Sequence, residues 1–260
     1  MKVGLALGGG AVRGLAHIGV LKVLKKHQIP IDFIAGTSMG GAIGGLVAAG
    51  FDIEEIEDFV LSTPSYRIVD IGIGKRGLIA GNKVYALLLQ FLEQKGEDIR
   101  IEELPIPFRA VAVDLKKGKV FIFDQGSLSL AIRATTSVPG FFAPVNYDGK
   151  VLVDGGILNN LPADIARNEG VDIVMAVDVE REHEEREPRN MFDVINRSLS
   201  LMMVEMRREN LRFADVVFRP QVGNFQAFDI TKIKECIEAG ERDAEHKMMD
   251  VISLINKEKH

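Results

Sequence analysis

Gly36-Thr37-Ser38-Met39-Gly40 spells G-x-S-x-G, the spacing of a serine held on a sharp turn between a strand and a helix. An apolar β-type stretch, Ile31-Asp32-Phe33-Ile34-Ala35, precedes it, and a small-residue helix candidate from Met39 to Gly50 follows. A turn this tight needs small flanking residues, which Gly36 and Gly40 supply, and it lifts the Ser38 hydroxyl into solvent at the carboxyl edge of a sheet. The chemistry offered is nucleophilic attack on an acyl carbon. Five residues recur by chance, so the motif gains its weight from this setting.

A second cluster lies upstream. Residues 2–7 read as a buried strand that empties into Gly8-Gly9-Gly10-Ala11-Val12-Arg13-Gly14, followed by an amphipathic helix through Leu15, Ile18, Leu21 and Leu24. Free backbone N–H groups in such a loop attract negative charge. Dinucleotide binding fits poorly: counted from Gly8-x-Gly10, Arg13 falls where Gly or Ala is needed for close packing. The second strand ends in Gly36-Thr37-Ser38 where a ribose-binding acid belongs, and Asp32 stands at its beginning. No Gly-Lys-Ser/Thr follows to make a phosphate loop. An oxyanion hole fits better. Parallel strands one and two bring the loop and Ser38 to one sheet edge, where the N–H groups of Gly9, Gly10 and Ala11 face the attacked carbonyl, each donor worth about 3 kcal/mol. Arg13 either adds charge there or pins the loop through carbonyl contacts, and the pinning role is favoured.

A serine nucleophile needs a proton acceptor, most often histidine. His17 lies in the first helix, four residues after Arg13, and serves to hold the loop; His27 ends that helix among lysines; His183 sits in a charged run; His246 is in a polar helical segment; His260 is the last residue. None stands at a strand end. Asp154 does: Val151-Leu152-Val153 runs as a buried strand into Asp154-Gly155-Gly156. Asp-Gly is also a common turn pair. Beside a serine elbow and a glycine loop, with no histidine placed to act, Asp154 becomes the candidate base, and burial would raise its proton affinity towards a useful range.

The elements that must position these groups alternate. Strand candidates are 2–7, 32–36, 108–114, 119–124, 151–154, 173–179 and 215–219; helix candidates are 14–27, 39–49, 53–61, 82–95, 128–137, 160–168, 192–213 and 231–256. Continuous apolar runs such as Ile173-Val174-Met175-Ala176-Val177 belong in strands covered on both faces. The βαβα order predicts a three-layer α/β/α fold around a mainly parallel sheet, with an antiparallel hairpin at Lys116-Lys117-Gly118. Residues 62–81, with Tyr66, Ile68, Ile71, Ile73, Leu78 and Ile79 among glycines, read equally as an active-site flap or as a packed connection. Met191, Met202, Met203 and Met206 read as adaptable core filler rather than an acyl-binding lip. The run from Glu180 to Arg189 reads as a solvated loop.

Composition sets the bounds. The chain has 260 residues, 47% hydrophobic, with a formal charge of −5; it can bury a large core, and the charge gives no support for nucleic-acid binding. The single cysteine, Cys236, makes no internal disulfide and reads as a buried apolar residue in a reducing compartment. Lys2 before Val3-Gly4-Leu5-Ala6-Leu7 imitates a signal peptide, but the apolar run is too short and breaks into glycines. No stretch reaches the roughly 18 apolar residues of a membrane span. The expected location is cytoplasmic, with peripheral contact at the inner membrane face left open.

Taken together, these blocks resemble the patatin-like phospholipase family, in its bacterial acyl-hydrolase form. The match rests on Gly8-Gly9-Gly10-Ala11-Val12-Arg13-Gly14 with Leu15-Ala16-His17-Ile18-Gly19-Val20-Leu21, on Gly36-Thr37-Ser38-Met39-Gly40, on Ala134-Thr135-Thr136-Ser137-Val138-Pro139-Gly140-Phe141-Phe142-Ala143-Pro144, and on Asp154-Gly155-Gly156, spanning residues 3 to about 165. The resemblance implies a Ser38–Asp154 dyad, an oxyanion hole from the glycine loop, and hydrolysis of lipid acyl esters (phospholipase A, lysophospholipase or esterase type) without metal or cofactor. It implies a catalytic core at 1–170, with 171–260 supplying the remaining strands and C-terminal helices of the same domain. One departure stands out: Ala11 takes the place of the middle glycine in a G-x-G-x-x-G ending at Gly14. Two alternatives remain at this point, a small-ester hydrolase or acyltransferase using the same dyad, and a non-catalytic lipid- or partner-binding regulator on the same fold.

Overall fold

Val3-Gly4-Leu5-Ala6-Leu7 is buried at every position, which a strand achieves only when both faces of its sheet are covered. The computed structural model describes residues 1–64, 71–74, 77–79, 82–96, 99–180, 187–188, 190–222, 225 and 229–258. Its strands are β1 (Val3–Leu7), β2 (Phe33–Thr37), β3 (Ile71–Gly74), β4 (Gly77–Ile79), β5 (Phe108–Asp114), β6 (Lys119–Phe123), β7 (Val145–Tyr147), β8 (Lys150–Asp154), β9 (Ile173–Val177) and β10 (Val216–Phe218). Its helices are α1 (Ala16–Lys26), α2 (Met39–Ala48), α3 (Ile53–Ser62), α4 (Asn82–Leu92), α5 (Leu128–Thr135), α6 (Ala163–Asn168), α7 (Met191–Leu211) and α8 (Ile233–Glu258).

Strand alternation divides the core in two. Val3, Leu5 and Leu7 of β1 and Ile173, Met175 and Val177 of β9 join one apolar cluster with residues of α1, α2 and α8. Ala6, Val174 and Ala176 point the other way, into a cluster with Ala163, Ile165 and Ala166 of α6 and Leu211 at the end of α7. Period-2 alternation between two helix-covered faces gives the three layers. The sheet runs β10-β9-β1-β2-β5 in parallel, and β6, β8 and β7 extend it antiparallel. The fold is α/β with a mixed, mostly parallel sheet.

The register around β5 decides where the site forms. β6 pairs along one edge over Ala110 to Asp114. β2 pairs with residues 108–111 and β8 with residues 112–114, both overlapping β6, so both must lie along the opposite edge. They arrive from opposite directions and stop at neighbouring positions, Thr37 beside Val111 and Asp154 beside Ala112. The residue after Thr37 is Ser38.

Helix α1, which follows the glycine loop, is clamped by α8. A Cβ on Gly19 would stand 2.0 Å from the Ile237 carbonyl oxygen, and one on Gly240 2.0 Å from the Ala16 carbonyl oxygen. The two backbones therefore touch, with no room for a side chain at either crossing point.

Some expectations change. The stretch 62–81 contains a short antiparallel hairpin, β3–β4, bearing Ile71, Ile73, Leu78 and Ile79; Tyr66 and Ile68 lie outside the described residues, as do His183, His260 and most of the charged run after Glu180. β7 is an added strand, joined to β8 through Asp148 and Gly149. The methionine reading is corrected for two residues: Met191 and Met202 are 80% and 59% exposed on α7, because its inward face is taken by Val204 and Arg207. Met203 and Met206 are half-buried. Among the described residues no helix is long and apolar enough to cross a membrane.

Candidate active site

Ser38 sits between β2 and α2 at φ 54°, ψ −125°, a conformation that costs a non-glycine residue about 1–3 kcal/mol and persists only where its surroundings impose it. The flanking glycines explain how. A Cβ on Gly36 would lie 2.5 Å from the Gly40 carbonyl oxygen, and one on Gly40 2.2 Å from the Leu7 carbonyl oxygen. Hydroxyls brace the turn as well: Ser38 N–H donates to Thr135 Oγ1 at 2.9 Å, and Thr37 Oγ1 donates to the Asn159 carbonyl at 2.8 Å. Ser38 is only 6% exposed. The glycine loop and the chain after Asp154 close around the residue.

The glycine loop crosses directly above it. A Cβ on Gly9 would stand 3.2 Å from Ser38 Cβ and 2.4 Å from Asn160 Oδ1. Gly8 N–H donates to the Val177 carbonyl at 3.1 Å and Gly9 N–H to the Asn160 carbonyl at 2.9 Å. Gly9 thus has its amide engaged and is unavailable as the donor expected from sequence. Neither Gly10 N–H nor Ala11 N–H donates a hydrogen bond among the described residues, and Ala11 opens a 3-10 turn, Ala11–Leu15, whose first amides have no internal acceptor. Ala11 adopts φ 50°, the left-handed region in which the missing glycine would be at ease. Arg13 is buried; its Nε donates to the Gly10 carbonyl at 3.4 Å and its Nη2 pairs with Glu180 Oε1 at 2.7 Å. It holds the loop from behind.

Asp154 ends β8 and caps the short turn Gly155–Ile157. Its Oδ1 accepts the Gly156 N–H at 2.8 Å, while Oδ2 is buried with no hydrogen bond. Burial pushes this carboxyl up to about 7, against the opposing pull of the Ser38 hydroxyl and the Gly156 amide. Gly155 has no space for a side chain, since a Cβ would be 2.4 Å from the Val111 carbonyl oxygen.

The described histidines are used elsewhere or stand away. His17 is fully buried, bonds the Gly8 carbonyl through Nε2 at 2.7 Å and leaves Nδ1 without a partner. Burial lowers it to about 4, so it is neutral, with the proton on Nε2. His27 meets Glu245 and His246 is exposed. Cys236 is buried and its thiol is pushed up to about 11 by burial, which leaves no thiolate to react at neutral pH.

Three polar residues join the site that sequence reasoning did not single out: Thr135, Asn159 and Asn160. Asn160 Nδ2 reaches the Gly9 carbonyl at 3.4 Å; Asn159 donates to Asp164 at 2.8 Å and accepts from Asn210 of α7 at 2.7 Å. The available signal was two adjacent amides inside the otherwise apolar run that follows Asp154-Gly155-Gly156.

Residues 5–167 match the model of a family described as patatin-like phospholipase. An uncharacterized NTE family protein of Mycobacterium bovis is 40% identical over 179 residues, covering 68% of this chain and 48% of that protein. A patatin-like phospholipase domain-containing protein of Caenorhabditis elegans is 30% identical over 301 residues, covering 99% of this chain and 22% of its own length. The chain thus spans about half of the mycobacterial relative and a smaller part of the nematode one. Among solved structures, VipD from Legionella pneumophila superposes with a TM-score of 0.63 at 14% identity, over 94% of this chain and 66% of that one; this likeness concerns the fold.

Proposed function

The chain belongs to the patatin-like phospholipase family, and from that membership, which implies a lipid acyl hydrolase, we propose that it cleaves lipid acyl esters with Ser38 as nucleophile and Asp154 as its base. The observation that carries the reading is a buried carboxyl, raised to about 7 and influenced by the hydroxyl of a strained serine, with no described histidine bonded to that serine. A base poised near neutrality both holds its charge in part and accepts a proton well.

In the first step Asp154 Oδ2 takes the Ser38 proton as Oγ attacks the ester carbonyl carbon. Gly10 and Ala11 N–H groups receive the developing oxyanion, and Gly9 serves as a spacer that lets the loop approach Ser38. Asp154 returns the proton to the departing alcohol. Water, deprotonated by Asp154, then attacks the acyl-serine and releases the fatty acid, restoring Ser38. The helix α7, whose Met203 Cε would lie 3.0 Å from a Cβ on Gly156, carries Met191, Val194, Ile195, Leu201 and Met202 on exposed positions; this side supports peripheral contact with a lipid aggregate.

The test is covalent labelling with a fluorophosphonate, read by intact mass, of wild type, Ser38→Ala and Asp154→Asn. Labelling of wild type alone is the expected result. A folded wild type that stays unlabelled in the presence of lipid or detergent overturns catalysis and leaves a lipid-binding protein on the same fold.

A further inference from the structure

The head-on meeting of β2 and β8 leaves a break in the ladder along one edge of β5, at Val111. A strand carbonyl at such a break has lost its regular partner, and a buried carbonyl left unpaired is destabilising. Thr135, at the end of α5 and fully buried, fills the break: its Oγ1 donates to the Val111 carbonyl at 2.5 Å and accepts the Ser38 N–H at 2.9 Å. A hydroxyl is suited to this place because one atom must both give and take. Two residues later the same turn accepts the Asp154 N–H on the Ser137 carbonyl at 3.0 Å. One turn of chain therefore grips the backbone of both proposed dyad residues. Ser137 is in turn fixed by Arg133, whose Nη1 donates to Ser137 Oγ at 2.7 Å.

We infer that Thr135 is a positioning residue: its hydroxyl locks the amide of Ser38 to β5 and so sets the approach of the Ser38 oxygen to Asp154. The inference rests on the Ser38–Asp154 reading above. The side chain has two separable parts. The hydroxyl makes the bonds just described, whereas the methyl group packs on α2, 2.8 Å from where a Cβ on Gly41 would be. Thr135→Val keeps the methyl and removes the hydroxyl; Thr135→Ser does the reverse. If the hydroxyl matters for catalysis, the two variants must part in reactivity even where they agree in stability.

The experiment measures the fluorophosphonate labelling rate, kcat and KM on p-nitrophenyl butyrate, and the melting temperature for wild type and both variants. The expected outcome is a fall of about 10- to 100-fold in labelling rate and kcat for Thr135→Val, with KM within about twofold, since small displacements of reacting groups cost rate rather than binding. Thr135→Ser is expected to recover most of that loss. If the valine variant does not fold, Thr135→Ala against Thr135→Ser isolates the same hydroxyl. Valine at wild-type rate, or alanine and serine equally active, overturns the inference while the dyad stands. A wild type that never labels removes the dyad, and the inference with it.

Discussion

Thr37 and Asp154 stand at consecutive positions along one edge of β5, opposite Val111 and Ala112, at the ends of two strands that run towards each other. A parallel strand and an antiparallel strand thus bring the turn at Ser38 and the end at Asp154 to neighbouring positions on β5. No long side chain has to reach across the molecule. Under the proposed dyad, this is how an aspartate would serve where a histidine is usual: the strand ends bring the carboxyl beside the serine turn, and burial supplies the basicity that the imidazole has intrinsically.

The first consequence is a pH dependence. With Asp154 raised to about 7 by burial, kcat/KM should rise about tenfold per pH unit below neutrality and level off above it. Stability should move oppositely. Between the ordinary carboxyl value of 3.8 and about 7 the folded state keeps a proton that the unfolded chain has released, so stability declines as pH rises through that window, by up to about 4 kcal/mol. Asp154→Asn should abolish activity and also abolish this decline. Denaturant titrations of both proteins at pH 5 and pH 8 measure it; parallel losses in the two would refute a buried, proton-holding Asp154.

Much of this architecture is readable from residues. β1, β2 and β9 announce themselves as unbroken apolar runs, and Gly36 and Gly40 declare a crossing that tolerates no side chain. β7 escapes because Val145-Asn146-Tyr147 is too short to show a period; its real signal is Asp148-Gly149, at φ 46° and 71°, the pair that a two-residue hairpin demands. The destination of the Gly9 amide is invisible in sequence, because its acceptor lies on Asn160, far along the chain. The role of Thr135 is hidden for a related reason: it answers a break in strand pairing, and pairing register is not written in composition or period. For α7 the apolar positions are plain, but which of them the core covers depends on Val204 and Arg207 facing inward.

The exposed side of α7 leads to a second prediction. Met191, Ile195 and Met202 recur on one helical stripe and are exposed, a pattern suited to lying at a lipid surface. Replacing all three with serine should lower turnover on phospholipid vesicles several-fold and leave p-nitrophenyl butyrate hydrolysis near wild type. Equal activity of the two proteins on vesicles would assign lipid contact to another surface.

Ala11 offers a test of strain. At φ 50° it occupies a region costing an L-residue about 1–2 kcal/mol, and glycine there relieves the strain but adds freedom to the unfolded chain. Ala11→Gly should therefore stabilise modestly, by about 0.5–1 kcal/mol, with labelling of Ser38 retained because the amide remains. Calorimetry showing a clear destabilisation would mean that the methyl group contributes packing.

His17 should govern acid sensitivity. Burial lowers it to about 4, whereas the unfolded chain binds its proton near 6.5. Its contribution is fully present above pH 6.5 and is lost as pH falls through 4, about 3 kcal/mol in all. His17→Gln retains a donor for the Gly8 carbonyl but cannot titrate. The variant should start somewhat less stable at pH 7 and lose less between pH 6.5 and 4, as followed by chemical denaturation at each pH.

The contact between α1 and α8 couples the last helix to the glycine loop. Gly240 faces the Ala16 carbonyl with no space for a methyl group, and the obstructing atom is backbone, so it cannot rotate aside. Gly240→Ala must push the helices apart, at about 1–3 kcal/mol by the usual cost of overpacking. The displacement will not stay local, because α8 also packs against the turn Ala11–Leu15 that presents the Gly10 and Ala11 amides. The variant should therefore lose labelling rate at temperatures where circular dichroism still reports a folded chain. A variant that is destabilised yet labels at the wild-type rate while folded would show that the loop is held by Arg13, His17 and Asn160 alone, without help from α8.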